Sequence, residues 1–196
     1  MKRIKEWMLP MMVLFAACNG SAPVPKPRGY LRTDFPEKNY LAFDTPGFPY
    51  SFRYPDYATV EQDRRSYRFA PFWINLQMPA YNATLHLTYQ PVRNNLPDLL
   101  EDTYKFVYRH VIKADEILET PFRNEAQKTH GFLYEIGGDV ASSVQFYMTD
   151  STRHFLRGSL YFMATPNVDS LSPAIVFLTA DIRHLMQTLE WRNGKQ

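Results

Sequence analysis

DEILETPFRNEAQKTHGFLYEIGGDVASSVQFYMTDSTRHFLRGSLYFMA, residues 115–164, is the stretch whose pattern decides the fold. Aromatic and aliphatic side chains gather in four runs, Glu116–Arg123, Phe132–Ile136, Val140–Thr149 and Phe155–Met163, with Gly, Asp and Thr between them. Such residues fit a pleated, half-buried surface, and the turn formers between the runs reverse the chain, so the spacing predicts an antiparallel meander.

Upstream of the meander the period changes. Leu99, Leu100, Tyr104, Val107, Tyr108 and Val111 recur at helical spacing, Pro97 stands where its missing N–H costs nothing, and Asp98, Glu101 and Asp102 suit the positive helix end. These features predict an amphipathic helix over Pro97–Ala114. Before it, Phe72–Gln77 and Ala83–Gln90 read as strands, since Leu85, Leu87 and Tyr89 alternate with Thr84, His86 and Thr88. Gly29–Pro55 is dense in aromatics and prolines, which allow edge strands and turns, so short strands wrapping the body are expected there. Downstream, Phe177, Leu178, Ile182, Leu185, Met186 and Leu189 predict a core helix over Leu171–Trp191, with Ser172 and Pro173 placed to cap and start it. The fold class that results is α+β: a mainly antiparallel sheet packed with a long central helix and a C-terminal helix, in one domain over residues 29–196.

The composition supports one folded body. The 196 residues are 45% hydrophobic and 21% charged, which excludes disorder. Net charge is only +2, far from the basic excess that a nucleic-acid partner demands. Setting aside Lys2, Arg3, Lys5 and Glu6 leaves 19 basic and 19 acidic residues, so the excess belongs to the first few positions. A single cysteine excludes a disulfide framework and a cysteine-based zinc cluster.

The front of the chain has its own logic. Met1–Lys5 is short and basic, and Trp7–Ala17 is an apolar run of 11 residues, the length of a signal-peptide core and well short of the roughly 20 needed to span a bilayer. It ends Leu14-Phe15-Ala16-Ala17-Cys18, similar to the lipobox of bacterial lipoproteins. There a thiol takes the diacylglyceryl group and small residues admit the peptidase. The cleaved chain then starts with a lipidated Cys18, so residues 1–17 are expected to be a signal peptide. Residues 18–28, with Pro23, Pro25 and Pro27 and few large apolar side chains, are expected to be an extended tether to a membrane.

Catalytic patterns are weak. Thr149-Asp150-Ser151-Thr152-Arg153-His154 holds an acid, a hydroxyl and an imidazole, but triads are assembled from separate elements, and Asp150–Thr152 has the composition of a strand-to-strand turn. No nucleophile elbow, phosphate-cradling loop or dinucleotide fingerprint occurs, and no cofactor is implied. His86, His110, His130, His154 and His184 are scattered, which gives no zinc motif. Glu116 with Glu119, or Glu101 with Asp102, has the makings of an acid and base pair for glycan cleavage, but solvated faces explain these residues better. The cationic cluster Arg153, His154 and Arg157, beside Asp150 and near Ser142-Ser143, is expected to line one exposed face suited to a partner carboxylate or an anionic glycan. The competing reading is an internal network with the body's own acids.

Two resemblances follow. Tyr54-Pro55-Asp56-Tyr57, the long first helix, Gly131-Phe132-Leu133-Tyr134-Glu135 and the C-terminal helix resemble the PsbP-like α/β sandwich, which implies fold only. Pro27-Arg28-Gly29-Tyr30, Ala141–Phe146 with Thr149–Gly158, and Asp169-Ser170-Leu171 resemble the gliding-motility lipoprotein GldD family of the Bacteroidetes over nearly the whole chain. That resemblance implies a non-catalytic envelope lipoprotein needed for gliding and the associated type IX secretion machinery, with the membrane protein GldE as partner. Surface-exported lipoproteins of that phylum commonly carry an acidic cluster after the cysteine, and none follows Cys18, so the domain is expected to face the periplasm. Asp150-Ser151-Thr152 and Asp169-Ser170-Leu171 are also similar to the phylum's short O-glycosylation signal, with Ser151 and Ser170 as acceptors. Two rival readings stay open: an envelope hydrolase acting on peptidoglycan or other glycan, and a periplasmic ligand-binding module.

Overall fold

The computed structural model describes residues 34–62, 70–109, 114–163 and 168–192, all within one unit, Thr33–Gln196. Cys18, the tether, Gly29–Thr33 and His110 lie outside the described residues. Among the described residues, ten strands form two antiparallel sheets. The smaller sheet has the order β1-β2-β10, from Tyr40–Phe43, Tyr50–Pro55 and Glu190–Trp191. The larger has the order β3-β4-β5-β9-β8-β7-β6, from Thr59–Gln62, Ile74–Met78, Ala83–Pro91, His154–Phe162, Val144–Thr149, Thr129–Gly137 and Glu116–Asn124.

The meander is present as β6 to β9, each strand pairing with the next, and its last strand closes on β5, where Ala83 lies opposite Phe162 and Pro91 opposite His154. Alternation divides the sheet into two apolar faces. On one, Leu76, Leu85, Leu133, Phe146, Leu156 and Leu160 pack with Tyr50 and Phe52 of β2 and with Leu178, Ile182, Leu185 and Met186 of the C-terminal helix. On the other, Tyr134, Ile136, Tyr147 and Phe155 meet Leu99 and Val107 of the first helix. One face alone buries several large side chains at roughly 1.5–3 kcal/mol each, which is enough to set strand register. Two glycines permit the closest approaches. A Cβ on Gly158 would come within 2.1 Å of the Phe146 ring, and one on Gly131 within 1.8 Å of the Tyr147 carbonyl oxygen.

The helices depart from the sequence reading. The first, α1, is Leu96–Tyr108 and has only 13 residues, so the central helix is short. It ends where the Arg109 amide donates to the Lys105 carbonyl, and its buried stripe is carried by Leu99, Thr103 and Val107, the Thr103 hydroxyl donating to the Leu99 carbonyl. The second, α2, is the long one, with 21 residues from Val168 to Thr188. Ser172 and Pro173 therefore lie inside its first turns instead of capping it. Trp191 is not helical; it pairs with Tyr50 as the end of β10. The aromatic and proline-rich segment does supply short strands, and β2 is the middle strand of the small sheet, not part of the large one. No helix among the described residues is long and apolar enough to cross a membrane.

Candidate functional site

The acid of the 149–154 run is consumed by its own turn. One oxygen of Asp150 accepts the amide N–H groups of Thr152, Arg153 and His154 at 2.8–3.0 Å, and the other accepts the Thr152 hydroxyl at 3.0 Å. Partial burial opposes ionisation of Asp150, but these donors outweigh it and hold the carboxyl below its ordinary range. The turn carries Ser151 in the left-handed region at φ +63°, exposed, with its Oγ 2.9 Å from Nε2 of His130. A serine and histidine thus do meet, but through a different histidine than the run suggests. Among the described residues no carboxylate orients that imidazole. Ser170 is exposed in the first turn of α2.

The cationic cluster does not share one face. Successive strand residues point to opposite sides of a sheet, so His154 and Arg157, three apart on β9, diverge. His154 is 7% exposed and turns into the core side, where Nδ1 lies 2.9 Å from the Tyr89 hydroxyl and the ring stacks on Trp191 at 5.1 Å. Burial lowers its pKa, Asp150 partly offsets this and Arg153 adds to it. Arg157 lies on the α1 side, bonded through Nη2 to Gln145 Oε1 at 2.9 Å. Arg153 alone of the three is exposed. Ser142 and Ser143 are buried and contribute nothing to a surface. Glu119 accepts the Tyr108 hydroxyl at 2.5 Å, and Glu101 pairs with Lys105 at 2.7 Å on one face of α1, so neither belongs to an acid and base pair.

Arg153 instead neighbours a cleft that the sequence did not disclose. Its carbonyl accepts the Val92 amide at 2.9 Å, which brings the turn beside the end of β5. There a cleft of about 500 Å³ is lined by Phe72, Trp73, Tyr89, Pro91 and Arg93 among others. Trp73 is held by donation from Nε1 to the Tyr89 carbonyl at 2.9 Å. Burial pushes the Tyr89 hydroxyl up to about 12, with Asp150 adding and Arg153 and Arg93 opposing, so both arginines lie within electrostatic reach of it. An aromatic floor with a cationic rim can stack on a planar or apolar group and hold an anionic one.

A second cluster, also invisible in the sequence, is structural. Asp181 of α2 is 4% exposed and accepts Lys38 Nζ at 2.6 Å, the Tyr40 hydroxyl at 2.8 Å and the Tyr57 hydroxyl. Burial and the bond to Asp181 push Tyr40 up to about 12 and Tyr57 higher still. Every partner is a donor aimed at the carboxylate, so this is a clasp and not an acid or base. Among the described residues no group of three or more His, Cys, Asp or Glu is arranged to hold a metal ion.

Comparison with known proteins bears on this arrangement. The family of the gliding motility lipoprotein GldD matches residues 20–191. The chain belongs to that GldD family. The matched residues include every described strand and both described helices, with the Asp150 turn, the cleft and the Asp181 clasp among them, and membership of a gliding motility lipoprotein family implies anchoring to a membrane of the envelope. A search of curated proteins gives no match. Among solved structures, the solution structure of cyanobacterial PsbP from Synechocystis sp. is similar at a TM-score of 0.49 and 10% identity, covering 83% of this chain and 98% of that chain.

Proposed function

We propose that this GldD-family chain is a periplasm-facing lipoprotein, held to a membrane by acylated Cys18 after loss of residues 1–17 and spaced from it by residues 18–28. Its single α+β domain acts by binding, as a non-catalytic accessory or assembly factor for gliding motility and the associated type IX secretion machinery, with GldE as membrane partner. Supporting this is one observation above the others: Asp150, the acid of the catalytic-looking run, is fully occupied as a turn clamp. The exposed Arg153, together with Arg93 and the aromatic cleft, is the partner-facing surface of this reading; His154 supports it from beneath, and Arg157 stands apart. Ser151 and Ser170, both exposed, remain the acceptor positions if the chain is O-glycosylated.

The test is co-purification from detergent-solubilised membranes of cells carrying a tagged chain. GldE should accompany the wild-type chain and fall by about tenfold with the double variant Arg93→Ala and Arg153→Ala, the scale expected for losing charged contacts. Equal recovery of GldE with the variant removes this surface, and its absence from the wild-type sample removes that partner. The Ser151 and His130 contact favours one alternative, an envelope hydrolase. Release of soluble products from cell-wall polymer, abolished by Ser151→Ala and by His130→Ala, would establish it.

A further inference from the structure

Arg157 sits on β9 on the sheet face that carries α1, only partly open to solvent. Its guanidinium lies over the Phe106 ring at 4.3 Å, and a second guanidinium, that of Arg109, lies over the same ring at 5.5 Å. Two like charges thus converge on one aromatic side chain. Among the described residues neither forms an ion pair; Glu101, the engaged acid of the helix, is taken by Lys105. Donors are also left over. Arg157 Nε is buried without an acceptor, and so is Nε2 of Gln145, whose side chain is 1% exposed and whose Oε1 already takes Arg157 Nη2. A desolvated guanidinium with no countercharge and two orphaned N–H groups is costly, and folding alone gives no reason to keep it. A carboxylate at the part of the Arg157 guanidinium still open to solvent supplies the missing negative charge.

Alongside, Phe106 itself is 40% exposed on α1. Arginine next to an exposed aromatic side chain is the composition of a protein-binding hot spot, not of a free-anion site. We propose that Arg157, positioned from beneath by Gln145, forms with Arg109 and Phe106 a docking site for a carboxylate side chain of an acidic protein segment. The site shares the premise that the chain acts by binding, but it lies on a different part of the molecule from the Arg93 and Arg153 cleft.

The test uses the full chain in neutral detergent with acetyl-Glu-Glu-amide as probe, acetyl-Gln-Gln-amide as control and inorganic phosphate as a third arm. The Arg157 Nε–H resonance should move saturably with the glutamate peptide and not with its glutamine counterpart. Arg157→Met should weaken the peptide by at least about tenfold. It should also raise the unfolding midpoint of the free protein by about 2–4 °C, because an uncompensated buried charge is gone. Gln145→Leu, which removes the acceptor that positions Arg157 Nη2 but keeps the charge, should weaken the peptide as well. A lower midpoint or loss of folding in Arg157→Met would assign Arg157 to stability, and unchanged peptide binding in both variants would remove the site. A response to phosphate alone would point to a phosphate-bearing ligand and overturn the acidic-segment reading. None of these results depends on GldE recovery, so the two proposals fail separately.

Discussion

His154 sits in a single turn-to-strand step where two opposed effects meet. Burial lowers its pKa from the ordinary 6.5, and the neighbouring Asp150 only partly offsets this. His184, stacked on Tyr40 at 3.7 Å, is lowered by burial too. A histidine kept neutral in the fold binds fewer protons than the same residue unfolded. Its contribution is therefore complete above about pH 6.5 and is lost as pH falls through that value toward the depressed one. Asp150, depressed as a carboxylate, acts only at more acidic pH. Urea unfolding should accordingly show stability falling between about pH 7 and 5, and His154→Gln combined with His184→Gln should flatten that slope. An unchanged slope in the double variant would remove both histidines as its source. The turn role of Asp150–Thr152 was legible in the sequence because Asp, Ser and Thr bond to backbone two or three residues away, a local effect. The burial of His154 was not, because it depends on Trp191 and Tyr89 arriving from remote strands.

At the level of elements, the sequence disclosed those whose period is sustained. The meander and both helices carry five or more apolar positions in phase, whereas β3 and β10 are too short for any period and form because β4 and β2 offer them partners. The same limit hid the Asp181 clasp. Asp181 is one acid in an amphipathic helix, and its partners Lys38, Tyr40 and Tyr57 are more than 120 positions away. The clasp ties the segment leading into β1, and the β2–β3 connection, to α2. Asp181→Asn keeps the shape but removes the charge that three donors share. Hydrogen bonds to charged groups are worth about 1.5–3 kcal/mol. With Lys38 partly exposed, a loss of about 2 kcal/mol is the reasonable scale, or roughly 4–8 °C in midpoint for a chain of this size. Tyr57→Phe, which deletes one donor and leaves the charge paired, should cost about half as much. Equal midpoints for Asp181→Asn and wild type would show that the clasp contributes no stability.

For the whole molecule, the proposed anchor at Cys18 and the folded body involve different residues, so the proposal predicts that location and folding separate. The described body carries its own two apolar faces, closed by strands and helices within 34–192. Membrane retention, in contrast, scales with buried methylene groups at about 0.8 kcal/mol each, so one acyl chain holds weakly and several hold durably. Cys18→Ser removes the thiol that would receive the diacylglyceryl group and alters none of the core side chains. The expected protein is unacylated in fatty-acid labelling and is no longer held to the envelope by acyl chains, while its thermal midpoint matches the wild-type chain and gliding is lost. Asp181→Asn should show the reverse, with reduced stability and intact labelling. Labelling that persists in Cys18→Ser would place the anchor elsewhere, and a lowered midpoint in that variant would tie the front of the chain to the stability of the body.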